Sequence, residues 1–221
     1  MLKYKCGVFL MFLFCLCSIQ LVGADHKPLP LLGKVIYIDA GHGGSDPGAV
    51  YRDIEEKDIN LKISLKLEQL LSEQGAIVFL TRYGDYDLSV NHTSNRKRSD
   101  LSRRGNMINQ SLCDLFISIH LNAEESGMWK GAEVYYDAKL KENEEIAKIF
   151  QGMFKKYLYS KRSYKKTDDL YLQGRISRPG VLVEVGFLSN ASDRYLLKQD
   201  TYQTKIAQTL VKGTLAYLNP N

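Results

Sequence analysis

Four short segments place ionisable side chains where the surrounding pattern is apolar or tightly turned. The first is DAGHGG at 39–44, directly after the apolar run KVIYI. Glycines 41, 43 and 44 allow a sharp turn that carries His42 over the end of that run. The second is His120, which closes LFISIH and so reaches the same kind of edge from a different part of the chain. The third is EEKDIN at 55–60, at the start of a helical pattern. The fourth is Glu184 inside VLVEVGFL, where an ionised carboxylate is costly unless it is paired or functional.

Each segment has a plainer reading. A glycine turn can carry an incidental histidine, and a strand-end histidine can be a hydrogen-bonded rim residue. Acids in a first helical turn are favoured by the helix dipole, and Glu184 could sit in a salt bridge. Together they offer more. Two histidines and one carboxylate from 55–60 form a set that holds zinc and leaves a fourth position open for water. A carboxylate beside such a metal is suited to proton transfer. On this reasoning Glu55 and Glu56 are equivalent candidates.

Such convergence needs a scaffold that brings distant segments to one edge. Apolar runs of strand length lie at Val35–Asp39, Ala76–Thr81, Asp114–His120, Ala132–Tyr136 and Val181–Val185. Several are almost continuously apolar, as strands buried on both faces are. Between them Ile59, Ile63, Leu67 and Leu70 recur at helical spacing, as do Ile146, Phe150, Met153, Phe154 and Tyr157. A last helix is expected from about Tyr202 to Leu218. Alternating strands and helices predict one α/β domain, with a mostly parallel twisted sheet of about five or six strands flanked by helices. In such sheets ligands bind at the carboxyl ends of the strands.

The 221 residues are 44% hydrophobic and 25% charged, which excludes a disordered chain or a polytopic membrane protein. A net charge of +5 is too small to argue for nucleic acid. Residues 1–24 combine Lys3 and Lys5, an apolar stretch and the exit Val22-Gly23-Ala24, the pattern of an export signal or N-terminal membrane anchor. Residues 25–33, with two prolines, read as a linker, and 34–218 as the catalytic domain. Three of the four cysteines fall in the first segment; only Cys113 remains, so the domain is expected to stand without an internal disulfide. The run Asn95 to Arg104 holds five basic residues, expected as a solvated helix face or as a positive rim for a carboxylate-bearing polymer.

In order along the chain, DAGHGGSDPGA, EEKDINL, FLTR, DLFISIHLNA, GAEVYY and VLVEVGFLSN resemble the blocks of the zinc-dependent N-acetylmuramoyl-L-alanine amidases, over about residues 34 to 218. The resemblance implies hydrolysis of the amide between the muramic lactyl group and L-alanine of peptidoglycan. It implies Zn2+ held by His42, Glu56 and His120, with Glu184 as general base. It selects Glu56 over Glu55 and makes Arg82, Arg104 and Asn122 substrate-binding candidates, with Asn109 in support. Ala40 stands where the family often has proline. The longer segment between Leu88 and Leu101, the early WKGAEVYY and an end at the last helix without wall-binding repeats resemble members acting in sporulation and germination. For those, the resemblance implies cortex peptidoglycan as substrate, a muramic acid deacetylase acting next to form δ-lactam, and an accessory lipoprotein. Nothing follows GAEVYY that matches the inhibitory helix of some division amidases, so control is expected from expression, a partner or the anchor. A vegetative wall amidase, a catalytically silent peptidoglycan-binding module and an L,D-type zinc carboxypeptidase are the alternatives.

Overall fold

The computed structural model describes residues 28–220. Residues 1–24, expected as an export signal or membrane anchor, lie outside them; no described helix is long and apolar enough to cross a membrane. Among the described residues, eight strands and five α-helices follow one another in chain order. The strands are β1 (Val35–Ala40), β2 (Val50–Tyr51), β3 (Ile54–Glu55), β4 (Ile77–Leu80), β5 (Leu115–Asn122), β6 (Glu133–Tyr136), β7 (Lys165–Lys166) and β8 (Gly180–Phe187). The helices are α1 (Glu56–Ser72), α2 (Arg96–Gln110), α3 (Lys141–Tyr157), α4 (Ala191–Leu197) and α5 (Asp200–Leu218). Six strands form one sheet in the order β4-β1-β5-β8-β6-β7, and β2 pairs with β3 in a separate ribbon. Every pairing in the large sheet is parallel except that of β6 with β8.

The two sheet faces have different fates, and the alternation of side chains along each strand decides which residue meets which. Ile36 and Ile38 of β1, Ile117 and Ile119 of β5, Val181, Val183 and Val185 of β8 and Val134 of β6 belong to the main core. Against them pack Ile59, Ile63 and Leu67 of α1, Phe150 and Phe154 of α3, and Ile206 and Leu210 of α5. The opposite face carries a smaller cluster in which Tyr37 and Phe116 meet Ile108 of α2 together with Leu172 and Ile176. That second cover ends part-way along the sheet. Beyond it on the same face, His120 of β5 and Glu184 of β8 are half-buried rather than covered, and there the chemistry can sit.

Three expectations need correction. Residues 29–33 are not a free linker: Leu31 is fully buried in the main core and its N–H donates to the Gln74 carbonyl. Apolar contact pulls this turn into the domain despite Pro30. The run at 76–81 forms an edge strand, with Ile77 and Phe79 exposed, so its apolar character does not imply burial on both faces. The basic helix is not simply a solvated face, because Arg104 and Gly105 are buried on its inner side. Helix α4, too short to leave a periodic pattern, had no counterpart in the expectations; Asn190 caps it by accepting from the N–H groups of Ser192 and Asp193.

Candidate metal centre and catalytic row

The turn after β1 holds His42 in the left-handed region, at φ 63°, a conformation uncommon outside glycine. Two arginines hold it there. Arg104 donates to the carbonyls of Ala40 (2.7 Å) and His42 (2.6 Å), to Asp39 Oδ1 (2.9 Å) and to Asp100 Oδ2 (2.9 Å). Arg82 donates to the carbonyls of Ala40 (2.9 Å), Gly41 (3.0 Å), Gly84 (3.0 Å) and Lys57 (2.7 Å). Buried carbonyls of an irregular turn have no water to bond, and the fork of a guanidinium supplies several donors at fixed angles. Both arginines are only 1% exposed. Their donors are engaged inside the fold, so the substrate-binding role expected of them is corrected: they position the His42 turn. Asn109 bonds the Arg175 carbonyl and Ser177, away from the site, and is structural.

Asp39 anchors this framework, accepting also from Thr81 (2.8 Å) and Ser118 (2.6 Å). Burial alone would push its carboxyl up, but the Arg104 charge, His120 and these donors outweigh it and hold it at about 2. Asp39 was not singled out from sequence, although it opens the DAGHGG segment.

Glu56, the first residue of α1, turns inward and is 3% exposed. Its Oε1 lies 3.2 Å from His42 Nε2 and 3.1 Å from His120 Nδ1. The same oxygen accepts from the Leu121 N–H (2.9 Å) and Asn60 Nδ2 (3.1 Å), while Oε2 accepts from the Ala49 N–H (2.8 Å). Burial opposes ionisation of Glu56, yet the two histidines and these donors bring its pKa well below the carboxylate norm. Glu55 turns the other way, to Lys57 Nζ at 3.2 Å. Tertiary placement thus separates the two glutamates.

One potential ligand atom from each of His42, Glu56 and His120 lies within 4.8 Å of the others. Ligands about 2.0–2.2 Å from a tetrahedral ion stand about 3.3–3.6 Å apart, so the two histidine–glutamate spacings suit such an ion after a small outward shift. Two glycines make the approach possible. A Cβ on Gly41 would lie 2.3–2.7 Å from His120 ring atoms, and one on Gly48 (φ 69°) 2.5 Å from Glu56 Oε2. Behind His42, Asp46 Oδ2 lies 3.0 Å from Nδ1 but out of line for a hydrogen bond.

Strand pairing extends the site sideways. His120 of β5 is opposite Glu184 of β8, which is opposite Glu133 of β6. Paired residues share a face, so the three stand in one row beside the candidate metal-ligand set. Glu184 is only half-buried as a residue, but its Oε2 is enclosed and has no hydrogen-bond partner. Burial, then the negative charges of Glu56 and Glu133, raise its pKa well above the usual carboxylate range. Glu133 is fully buried and accepts from Arg162 (2.6 Å), Tyr135 (2.7 Å) and Asn122 (2.9 Å). Glu133 was missed from sequence, although an acid inside the apolar strand AEVYY is the same signal that pointed to Glu184. Asn122 remains at the rim of this row.

A family model described as N-acetylmuramoyl-L-alanine amidase matches residues 36–216. The chain belongs to that family. Its fold and its reaction, hydrolysis of the amide joining muramic acid to L-alanine in peptidoglycan, follow from that membership. The chain is 44% identical over 217 residues to the germination-specific N-acetylmuramoyl-L-alanine amidase of Bacillus subtilis, covering 95% of this chain and 90% of that one. Among solved structures it is similar to the CwlD amidase of Clostridioides difficile in complex with the GerS lipoprotein, with 39% identity and a TM-score of 0.80. That match covers 85% of this chain and all of the other. The catalytic domain of the CwlV amidase from Bacillus (Paenibacillus) polymyxa is 31% identical with a TM-score of 0.75, over 85% of this amidase and 99% of that domain.

The basic run does not make a broad positive rim. Arg96 pairs with Asp87, Lys97 with Asp46, and Arg98 donates to the Tyr171 hydroxyl. With Arg104 buried, much of that charge is balanced inside the molecule.

Proposed function

We propose that this amidase is zinc-dependent, that His42, Glu56 and His120 hold the ion, and that Glu184 is its general base and acid. The observation that carries the reading is the convergence of those three ligand atoms beside an enclosed carboxylate with no other partner. The donor set fits: two imidazoles and one carboxylate are a recurrent catalytic zinc set, and leave a position open. A bound zinc supplies a Lewis acid for the scissile carbonyl and lowers the pKa of water to near neutrality. Glu184 accepts a proton from the attacking water and returns it to the departing L-alanine amine. Its raised pKa suits both halves of that transfer. Asn60 and the Leu121 N–H orient Glu56, and the arginine-braced turn orients His42.

The substrate proposed is spore cortex peptidoglycan, on the strength of the similarity to the germination-specific relative. A muramic acid deacetylase then closes the δ-lactam, which needs the lactyl carboxyl that this hydrolysis frees. An accessory lipoprotein is proposed by analogy with the C. difficile complex. The segment 1–24 is proposed to deliver the domain outside the cytoplasmic membrane, as a cleaved signal or as an anchor.

Mass spectrometry of cortex muropeptides digested with the zinc-loaded protein tests the reading. Release of whole stem peptides is expected; loss of terminal residues alone would mean a carboxypeptidase, and no release a silent binding module. Glu184→Gln should keep its zinc and lose roughly 10²–10⁴-fold in rate. A variant that still releases stems at the wild-type rate would remove Glu184 from the mechanism.

A further inference from the structure

Beyond Glu184 the sheet face continues across β6 to β7 into a cleft of about 450 Å3, walled by Asn122, Trp129, Tyr135, Lys161, Arg162 and Lys165. Its floor is Glu133, whose charge is consumed internally. Arg162 reaches that carboxylate with Nε and Nη2, both at 2.6 Å, and Lys165 Nζ lies 3.2 Å away. The Arg162 guanidinium also lies over the Trp129 ring at 4.8 Å, which braces the outer wall. Among the described residues Lys161 has no carboxylate within ion-pairing distance, and Lys165 shares Glu133 with Arg162. Glu124 is the only other acid lining the cleft, so its three cations outnumber its carboxylates.

We propose that this cleft is the subsite for the stem peptide, on the amine side of the scissile bond, and that Lys161 and Lys165 select stems with a free carboxylate near that bond. The proposal rests on the amidase reading above. The lactyl carboxyl is consumed in the scissile amide, so the substrate's anionic groups lie on the peptide. A positive cleft one strand beyond the catalytic row therefore suits the peptide. On the opposite side, the cavity of about 250 Å3 around His42, Leu101, Leu172 and Leu182 is mainly apolar, and its one lysine, Lys97, already faces Asp46.

Steady-state kinetics on two soluble substrates test it: a muramoyl peptide whose second residue keeps its free carboxylate, and its carboxamide counterpart. Zinc-loaded wild-type protein should favour the free carboxylate by about tenfold in kcat/KM, mostly through KM. In K161A/K165A the ratio should fall to about 1, while K148A on the exposed side of α3 should keep the wild-type ratio. An unchanged ratio in the double variant, or no preference in the wild type, would overturn the subsite while leaving the amidase intact. Cleavage of neither substrate would overturn the amidase reading and this proposal with it.

Discussion

Replacing Gly41 by alanine adds one methyl group, in a backbone conformation any residue can adopt, and tests how tightly the proposed metal centre is built. The new Cβ would lie 2.3 Å from His120 Cε1, 2.5 Å from Nε2 and 2.7 Å from Nδ1. Carbon atoms settle about 3.5–4.0 Å apart, so the imidazole has to retreat by about 1 Å. Its far side faces the open cleft, with 18% of the side chain exposed, so the ring can move without breaking the core. The stability cost should therefore fall at the low end of overpacking, about 1 kcal/mol, or about 2–4 °C in Tm for a domain of this size. Function has no such outlet. A displacement of about 1 Å at a catalytic group costs about 10²-fold in rate, and zinc affinity should fall with it. The matched control is Gly152→Ala in α3, where nothing lies within 4 Å of the added Cβ; helix propensity there predicts a gain of about 1 kcal/mol. Stem release from muropeptides, zinc content and thermal unfolding of both variants provide the comparison. A Gly41→Ala protein with wild-type zinc content and activity would refute the claim that this contact sets the position of His120.

Arg104→Met strands Asp39 and Asp100 without their shared cation; a loss of about 3–5 kcal/mol is expected by chemical denaturation, and wild-type stability would refute the clamp. Asp39 also makes stability depend on pH. Its carboxyl is ordinarily near 3.8 and is held at about 2 in the fold, so its contribution, about 2 kcal/mol, is complete above about 3.8 and vanishes as pH falls through about 2. Denaturation curves between pH 5 and 2 should accordingly fall more steeply for wild type than for Asp39→Asn; parallel curves would contradict that. Leu31→Ala should cost about 2–4 kcal/mol, because the side chain is fully buried, whereas a free linker would show no change.

Much of this was legible in the chain. Strand-length apolar runs and helical spacing place the sheet and its main helices, because burial on two faces and on one stripe leaves distinct periods. His42, His120 and Glu184 stood out because polar groups at the ends or within such runs conflict with local burial. Glu133 produced the same signal in a shorter run and was passed over. Local pattern could not identify the arginine clamps, since Arg82 and Arg104 look like any basic residues until the turn they serve is closed around them.

Sequence by itself determined the α/β class, the order of the main strands and helices, and the segments that meet at the carboxyl edge, since these rest on local periodicity and turn chemistry. Tertiary structure decided that Glu56 points inward while Glu55 turns to Lys57, that two arginines brace a turn, and that Leu31 belongs to the core. It also decided that His120, Glu184 and Glu133 form one row, because that alignment depends on the pairing of β5, β8 and β6. Pairing register joins residues far apart in the chain, and no local spacing encodes it.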